Sequence, residues 1–249
     1  MRASAGVHAL RGPPAAYEDH PIPVLKIRLA GEDALLHPSG ALFLPAHATL
    51  LVADAHFGKA VSFRRLGVPV PRGTTSDNVA RLDAALAETQ ARRLVFLGDF
   101  LHSARSHATG TLDVLHAWRE RQGGLAVTLV RGNHDDRAGD PPASLGFEVV
   151  DEPLRLGHFA LCHHPRPVGG AYVLAGHWHP CISLSGRAFE RLRLPCFWLG
   201  DETVPGNAVG ILPAFGAFTG MHRIEPRSGD RIFPVADGVV RALPLVPVQ

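Results

Sequence analysis

Five short apolar runs in this chain each end in residues that bind hard metal ions. They are LLVADAH (Leu50 to His56), RLVFLGD (Arg93 to Asp99), AVTLVRGNHD (Ala126 to Asp135), FALCHH (Phe159 to His164) and YVLAGHWH (Tyr172 to His179). One Asp-x-His or one Gly-Asp would mean little. Five in succession, each closing a β-rich stretch, describe a site assembled from strand ends, where open α/β sheets place their ligands. On an extended segment, residues two apart share a side, so Asp54 with His56, and His177 with His179, are expected to reach one ion from alternating positions. Gly98-Asp99 and Gly132-Asn133 set a small residue beside a ligand, where the backbone approaches closely or takes positive φ.

With 249 residues, 46% of them hydrophobic, the chain can bury one substantial core. The expected organisation is a flexible N-terminal tail over 1–21 and a single domain over 22–249. No stretch approaches the ~18–20 apolar residues of a membrane span, and no secretory signal pattern opens the sequence. Cys162, Cys181 and Cys196 are odd in number and lack CxxC spacing, which suits reduced thiols in a cytoplasm and argues against a zinc ribbon. A net charge of +2 does not by itself imply nucleic acid.

The spacing predicts strands at Val24 to Leu29, Leu42 to Leu44 and Leu94 to Leu97. A turn is expected over His37 to Gly40, and a basic loop after His56 that holds Lys59, Arg64, Arg65 and Arg72. One helix is expected from an N-cap at Ser76, with Val79, Leu82, Leu86 and Thr89 on one face. A second should run over Thr111 to Gln122 with Leu112, Leu115 and Trp118 inward. The first half thus reads βαβαβ, and after Gly146 short strands dominate, so two sheets packed face to face with helices outside are expected.

Carboxylate, imidazole and amide oxygen without thiolate suit Mn²⁺, Fe or Zn better than Mg²⁺ or Ca²⁺. Seven such groups exceed one tetrahedral ion and suit two ions sharing a carboxylate, an arrangement that favours in-line displacement at phosphorus. Isolated histidines are more often satisfied or exposed side chains, and His8, His20, His37, His47, His116, His158 and His222 are read that way.

The ordered series Asp-x-His, Gly-Asp, Gly-Asn-His-Asp, His and Gly-His-x-His resembles the calcineurin-like metallophosphoesterases over roughly Leu50 to Pro180. The resemblance implies a four-layer αββα sandwich in the α/β class with a dinuclear metal site. By that resemblance Asp54, His56 and His179 hold one ion, Asn133, His163 and His177 the other, and Asp99 bridges them. His134 is implied as the catalytic residue, contacting phosphate oxygen and protonating the leaving oxygen, with Asp135 supporting its loop. Either His163 or His164 can be the ligand, and His163 is preferred because relatives place it two residues before a proline. Where protein phosphatases of the family have an Asp partner for the catalytic His, this chain has His102, which argues against that activity and leaves His102 free to touch substrate.

A narrower resemblance rests on DAHFGKA (Asp54 to Ala60), FRRLGVPVPRGTT (Phe63 to Thr75), GDFLHS (Gly98 to Ser103), GHWHP (Gly176 to Pro180) and LPAFGAFTG (Leu212 to Gly220). It is to the ligase-associated metallophosphoesterases of the PdeM type. It implies a cytoplasmic, Mn²⁺-dependent DNA endonuclease or phosphodiesterase in bacterial DNA repair, encoded beside a DNA ligase and a helicase-like protein. LPAFGAFTG also reads as a Gly-rich strand and turn packing Phe215 and Phe218. The alternatives are a small-molecule phosphoesterase acting on nucleotides or phosphorylated lipid precursors, and a non-catalytic scaffold. Lys59, Arg64, Arg65 and Arg72 are the best candidates to hold a polyanionic backbone, while no aromatic-interleaved basic platform is apparent in the sequence.

Overall fold

A computed structural model describes residues 24–71, 73–185 and 191–244. The expected tail (1–21), His8, His20 and Arg72 lie outside the described residues. The first sheet has seven strands in chain order: β1 (Leu25–Leu29), β2 (Glu32–Leu36), β3 (Leu42–Leu44), β4 (Thr49–Val52), β5 (Arg93–Leu97), β6 (Ala126–Val130) and β7 (Glu148–Val150). Strands β1 to β4 pair antiparallel, and β4 to β7 pair parallel. The helices are α1 (Lys59–Arg65), α2 (Thr74–Thr89), α3 (Thr109–Arg121) and α4 (Asn133–Ala138).

The parallel strands are apolar almost throughout because both of their faces are covered. Alternation sends Leu50, Val52, Leu94, Phe96, Val127 and Leu129 toward Val79, Leu82, Ala85 and Leu86 of α2 and Leu115 and Trp118 of α3. The intervening Leu51, Val95, Leu97 and Val130 meet the second sheet.

That sheet contains β8 (Leu154–Leu156), β9 (Phe159–Leu161), β10 (Tyr172–Ala175), β11 (Pro180–Ser185), β12 (Arg191–Leu199), β13 (Val209–Ile211), β14 (His222–Arg223), β15 (Arg231–Ala236) and β16 (Val239–Val240). Its path runs β14-β11-β12-β13-β10-β9-β8, with β15 beside β12 and β16 beside β15. Phe159, Leu161, Tyr172, Leu174, Phe197 and Leu199 face the first sheet. The opposite face carries small residues, Ala160, Cys162, Val173 and Ala175, covered by Val168 and Ala171 of the β9–β10 loop. No α-helix among the described residues follows Ala138. The described layers are therefore helix, sheet and sheet, and the expected outer fourth layer is not among them.

Two local expectations are corrected. The basic segment expected as a loop forms α1, seven residues entered through Gly58 at φ 78°. Helix α2 starts at Thr74 behind Gly73 rather than at a Ser76 cap. Three of the histidines read as satisfied are so: His37 contacts Glu88 at 2.5 Å, His47 contacts Glu32 at 3.0 Å and His116 contacts Ser144 at 2.7 Å.

Candidate metal centre

Parallel register lines up the C-terminal ends of β4, β5 and β6, and β9 and β10 end opposite them across the sheet interface. Asp54, Asp99, His163 and His177 each lie two residues beyond a strand end, and Asn133 opens α4 three residues after β6. The chain does not continue extended into these positions. Asp54, His56, Asp99, His177 and His179 adopt left-handed φ of 52°, 46°, 52°, 72° and 49°. The alternation expected for Asp-x-His and His-x-His is thus wrong, because tight left-handed turns aim these side chains. Such backbone costs about 1–3 kcal/mol per residue and clusters at functional sites.

The turns are locked by main-chain bonds. His56 N donates to Asp99 O at 2.9 Å, Gly176 N to His163 O at 3.1 Å, Phe215 N to Ala53 O at 2.8 Å and Gly216 N to Asp54 O at 3.0 Å. The glycine of Gly98-Asp99 has two reasons to be there. Its φ is 78°, and a Cβ would enter the His163 ring.

Four overlapping groups of donor atoms result: Asp54–His56–His179, Asp54–Asp99–His163, His163–His164–His177 and His56–His102–His134, each within 4.8 Å. Asp99 joins them, with Oδ2 3.7 Å from His56 Nε2 and Oδ1 3.5 Å from His163 Nε2. Asn133 Oδ1 and His177 Nδ1 each lie 3.0 Å from His163 Nε2. Asp54 also accepts from His177 N at 2.9 Å, which ties the two sheets together at the site.

Main-chain carbonyls set the imidazole tautomers. His163 Nδ1 donates to Leu97 O (3.0 Å), His179 Nδ1 to Gly220 O (3.0 Å) and His134 Nδ1 to His102 O (2.7 Å). Each bond leaves Nε2 pointing toward the buried carboxylates. Both nitrogens of His56, and Nε2 of His179, are buried without a hydrogen-bond partner. Asp54 and Asp99 are 0% and 2% exposed. Lone pairs and buried negative charge converging on one space call for a cation. The donor set therefore fits divalent ions, with oxygen and imidazole nitrogen and no thiolate.

Electrostatics agree. Burial drives His56 far below the usual imidazole range, with Lys59 and neighbouring histidines adding to the effect. Burial also lowers His177. At His179 burial opposes charge, but the Asp54 carboxylate, 3.5 Å from Nε2, together with Gly220 O outweighs it and raises the pKa. Lys59 is lowered by burial and drawn back up by Asp54 and Asp99, so its ammonium belongs to this field.

The supporting residues are more specific than sequence reasoning gave. Asp135 is buried, which raises it to about 6, yet it accepts from Phe100 N, Leu101 N and Gly132 N at 3.0, 3.2 and 3.0 Å. It therefore braces both the Asp99 and Asn133 turns. His102 supplies its carbonyl to His134 and stacks on it at 5.0 Å, while burial lowers its own imidazole to about 4. The Asp–His dyad is replaced by a carbonyl–His pair. His164 Nδ1 lies 2.9 Å from Glu152 Oε1 while its ring stays in one donor group with His163 and His177, and His163 is fully buried against Asn133 and Asp99.

Of the basic residues, Lys59 is half-buried and feels the charge of Asp54 and Asp99, whereas Arg64 is exposed and bonded to Pro71 O at 3.0 Å. LPAFGAFTG does more than pack. Phe215 is buried, but Phe218 is 50% exposed, and the segment clamps Asp54 O and orients His179 through Gly220 O. Its conjunction of glycines was the only sequence signal for that role.

A scan of protein-family models and a search of curated proteins return no match. Among solved structures, the Pseudomonas putida nuclease MPE is 45% identical over 88% of this chain and 100% of that chain, with a TM-score of 0.76. An Aquifex aeolicus protein of unknown function is 20% identical over 53% of this chain and 78% of that chain (TM-score 0.35). YfcE, a phosphoesterase from E. coli, is 15% identical over 76% and 88% (TM-score 0.32). The last two scores are too low to carry an argument. Identity of 45% along the whole of the Pseudomonas protein decides the matter, and this chain belongs to the family of the P. putida nuclease MPE.

Proposed function

We propose that this chain is a two-metal phosphodiesterase that cuts DNA, of the ligase-associated metallophosphoesterase type. The observation that carries the reading is Asp99, one buried carboxylate within 3.7 Å of His56 and 3.5 Å of His163, in a chain similar to a nuclease from end to end of that nuclease. Asp54, His56 and His179 would hold one ion, Asn133, His163 and His177 the other, with Asp99 shared. Mn²⁺ suits this set, with Fe or Zn as the nearest substitutes. When bound, such ions supply a water of lowered pKa and neutralise charge on phosphate oxygens.

The chain's own residues do the rest. His134, fixed at Nδ1 by His102 O, presents Nε2 at the partly open side of the cluster and there protonates the leaving oxygen. Lys59 adds positive charge where a phosphate would arrive. The left-handed turns hold the ligands at fixed spacing before substrate binds. A role in bacterial cytoplasmic DNA repair, beside a DNA ligase and a helicase-like protein, belongs to the same proposal.

The test is a titration of Mn²⁺, Fe²⁺ and Zn²⁺ against plasmid DNA, single-stranded DNA, bis(4-nitrophenyl) phosphate and nucleotides, with Asp99→Ala as control. Mn²⁺-dependent cleavage of DNA and of the model diester, lost in the variant, is the expected result. Turnover of nucleotides alone would point to a small-molecule enzyme. No turnover with any metal would leave a scaffold.

A further inference from the structure

Beside the cluster lies an aromatic cavity that the phosphodiesterase chemistry does not use. Trp178, the residue joining His177 to His179, is 42% exposed. Its ring lies 5.8 Å from that of Trp198 on β12, tilted by 36°, and 6.1 Å from His222 on β14. Three separated segments thus contribute one partly open aromatic surface.

The wall behind it is built. Asp230, fully buried, accepts from Trp198 Nε1 at 2.7 Å, Asn207 Nδ2 at 3.0 Å and Arg227 N at 2.9 Å. Those three donors all line one cavity of about 190 Å³, whose floor is Val209 and Ile211. A neighbouring cavity of about 580 Å³ shares Trp178, Trp198 and Arg227 and adds Arg223. Its lining holds two exposed arginines, Arg223 and Arg227, and one exposed carboxylate, Glu225, in front of buried Asp230. Pro165 and Pro167, two and four residues after His163, also line the smaller cavity.

Such a surface selects a flat apolar ring joined to an anion. Aromatic faces and an apolar floor receive the ring, while arginines receive the charge. We propose that the Trp178–Trp198 cavity is a subsite for one unstacked nucleobase of a single-stranded nucleic acid, whose adjoining phosphate lies at the carboxylate–histidine cluster. The inference rests on the phosphodiesterase reading. It adds that the substrate is gripped by a base as well as by its backbone. A base stacked inside a duplex has no free face to offer, so the strand must be single or locally opened.

The test uses the full chain in chelator, so that no cleavage occurs, and reads tryptophan emission. Trp118 is 1% exposed in the helix-side core, which leaves Trp178 and Trp198 to report. Oligothymidylate should quench the emission saturably, and an abasic oligomer of equal length should not. Anisotropy of a labelled oligothymidylate should show binding weakened about tenfold in Trp178→Ala and little changed in Trp178→Phe, which keeps a ring to stack on.

Equal quenching by the abasic strand, or undiminished binding by Trp178→Ala, overturns the subsite. If wild-type protein still hydrolyses bis(4-nitrophenyl) phosphate with Mn²⁺ when these results are negative, the subsite alone has failed. If it cleaves neither that diester nor DNA, the phosphodiesterase reading has failed, and the metal-free titration still decides the subsite.

Discussion

Replacing Asp99 by asparagine should stabilise the protein without metal and remove the stabilisation that metal brings. Asp99 and Asp54 carry ligand atoms within 4.8 Å of each other, and both are buried. At an effective dielectric of about 20, two full charges at 4.8 Å repel by about 3.5 kcal/mol. Lys59 and His179 offset part of that, so about 3 kcal/mol is the scale of what the neutral amide relieves. For a chain of this size, about 3 kcal/mol corresponds to a rise of about 6–12 °C in melting midpoint. The substitution leaves little else unsatisfied. The amide oxygen still accepts from His134 N, now 2.9 Å from Oδ1, and the new NH₂ faces His56 Nε2 and His134 Nε2, now 3.7 and 4.0 Å from Oδ2.

With metal the order reverses. An ion present at a hundred times its Kd stabilises the folded wild type by about 2.7 kcal/mol per site, and the variant loses the anionic group common to both donor groups. The assay is a pair of thermal melts for each protein, in chelator and in Mn²⁺. The expected pattern is a crossover: the Asp99→Asn variant melts higher in chelator, the wild type higher in Mn²⁺. If Asp99 served only to accept the His134 amide, the variant would be equal or lower in both conditions and keep the full Mn²⁺ gain. That result would refute the reasoning.

Four further outcomes are expected. His134→Ala should lower Mn²⁺-dependent diester hydrolysis by about a hundredfold to ten-thousandfold while the Mn²⁺ shift in melting midpoint persists. An equal loss of that shift would make His134 a ligand instead. Lys59→Ala should weaken binding of single-stranded DNA and reduce the log–log salt slope by about 0.7, the signature of one phosphate contact; an unchanged slope would leave Lys59 with a purely local role. Gly98→Ala should destabilise by at least about 2 kcal/mol in urea melts, because φ is 78° and the new methyl meets the His163 ring. The thiols should resist iodoacetamide at pH 8: burial raises Cys162 to about 11 and Cys196 to about 12, and also raises Cys181. For Cys162 and Cys196 the native thiolate fraction at that pH is then about one in a thousand or less, so mass spectrometry should find their alkylation only after unfolding.

Which parts of this molecule could be read from the sequence follows from which interactions need a particular side chain. Strands β4, β5 and β6 were legible because burial on both faces demands unbroken apolar runs such as LLV and LVFL. The donor types of the cluster were legible because carboxylate, imidazole and amide oxygen recur at the ends of the apolar runs. Gly98 was legible because nothing larger fits. Helix α1 was missed because KAVSFRR is short, basic and followed by glycine and prolines, so its periodicity is no stronger than that of a loop. The extended geometry assumed for Asp54 and His56 failed because left-handed φ at those positions is held by bonds from distant segments, Asp99 O and Gly216 N among them. The Trp178–Trp198 surface is tertiary in the same sense, since residues 178, 198 and 222 share no local pattern.

The deeper gap concerns imidazole orientation. His163, His134 and His179 owe their tautomers to the carbonyls of Leu97, His102 and Gly220, and every residue carries a carbonyl. A carboxylate partner would have left a mark in the sequence, and its absence at His102 read as a missing dyad. The structure shows the same task done by the main chain. Replacing the His102 side chain therefore tests stacking on His134 and contact with substrate, whereas the hydrogen bond that orients His134 survives any substitution that keeps the turn.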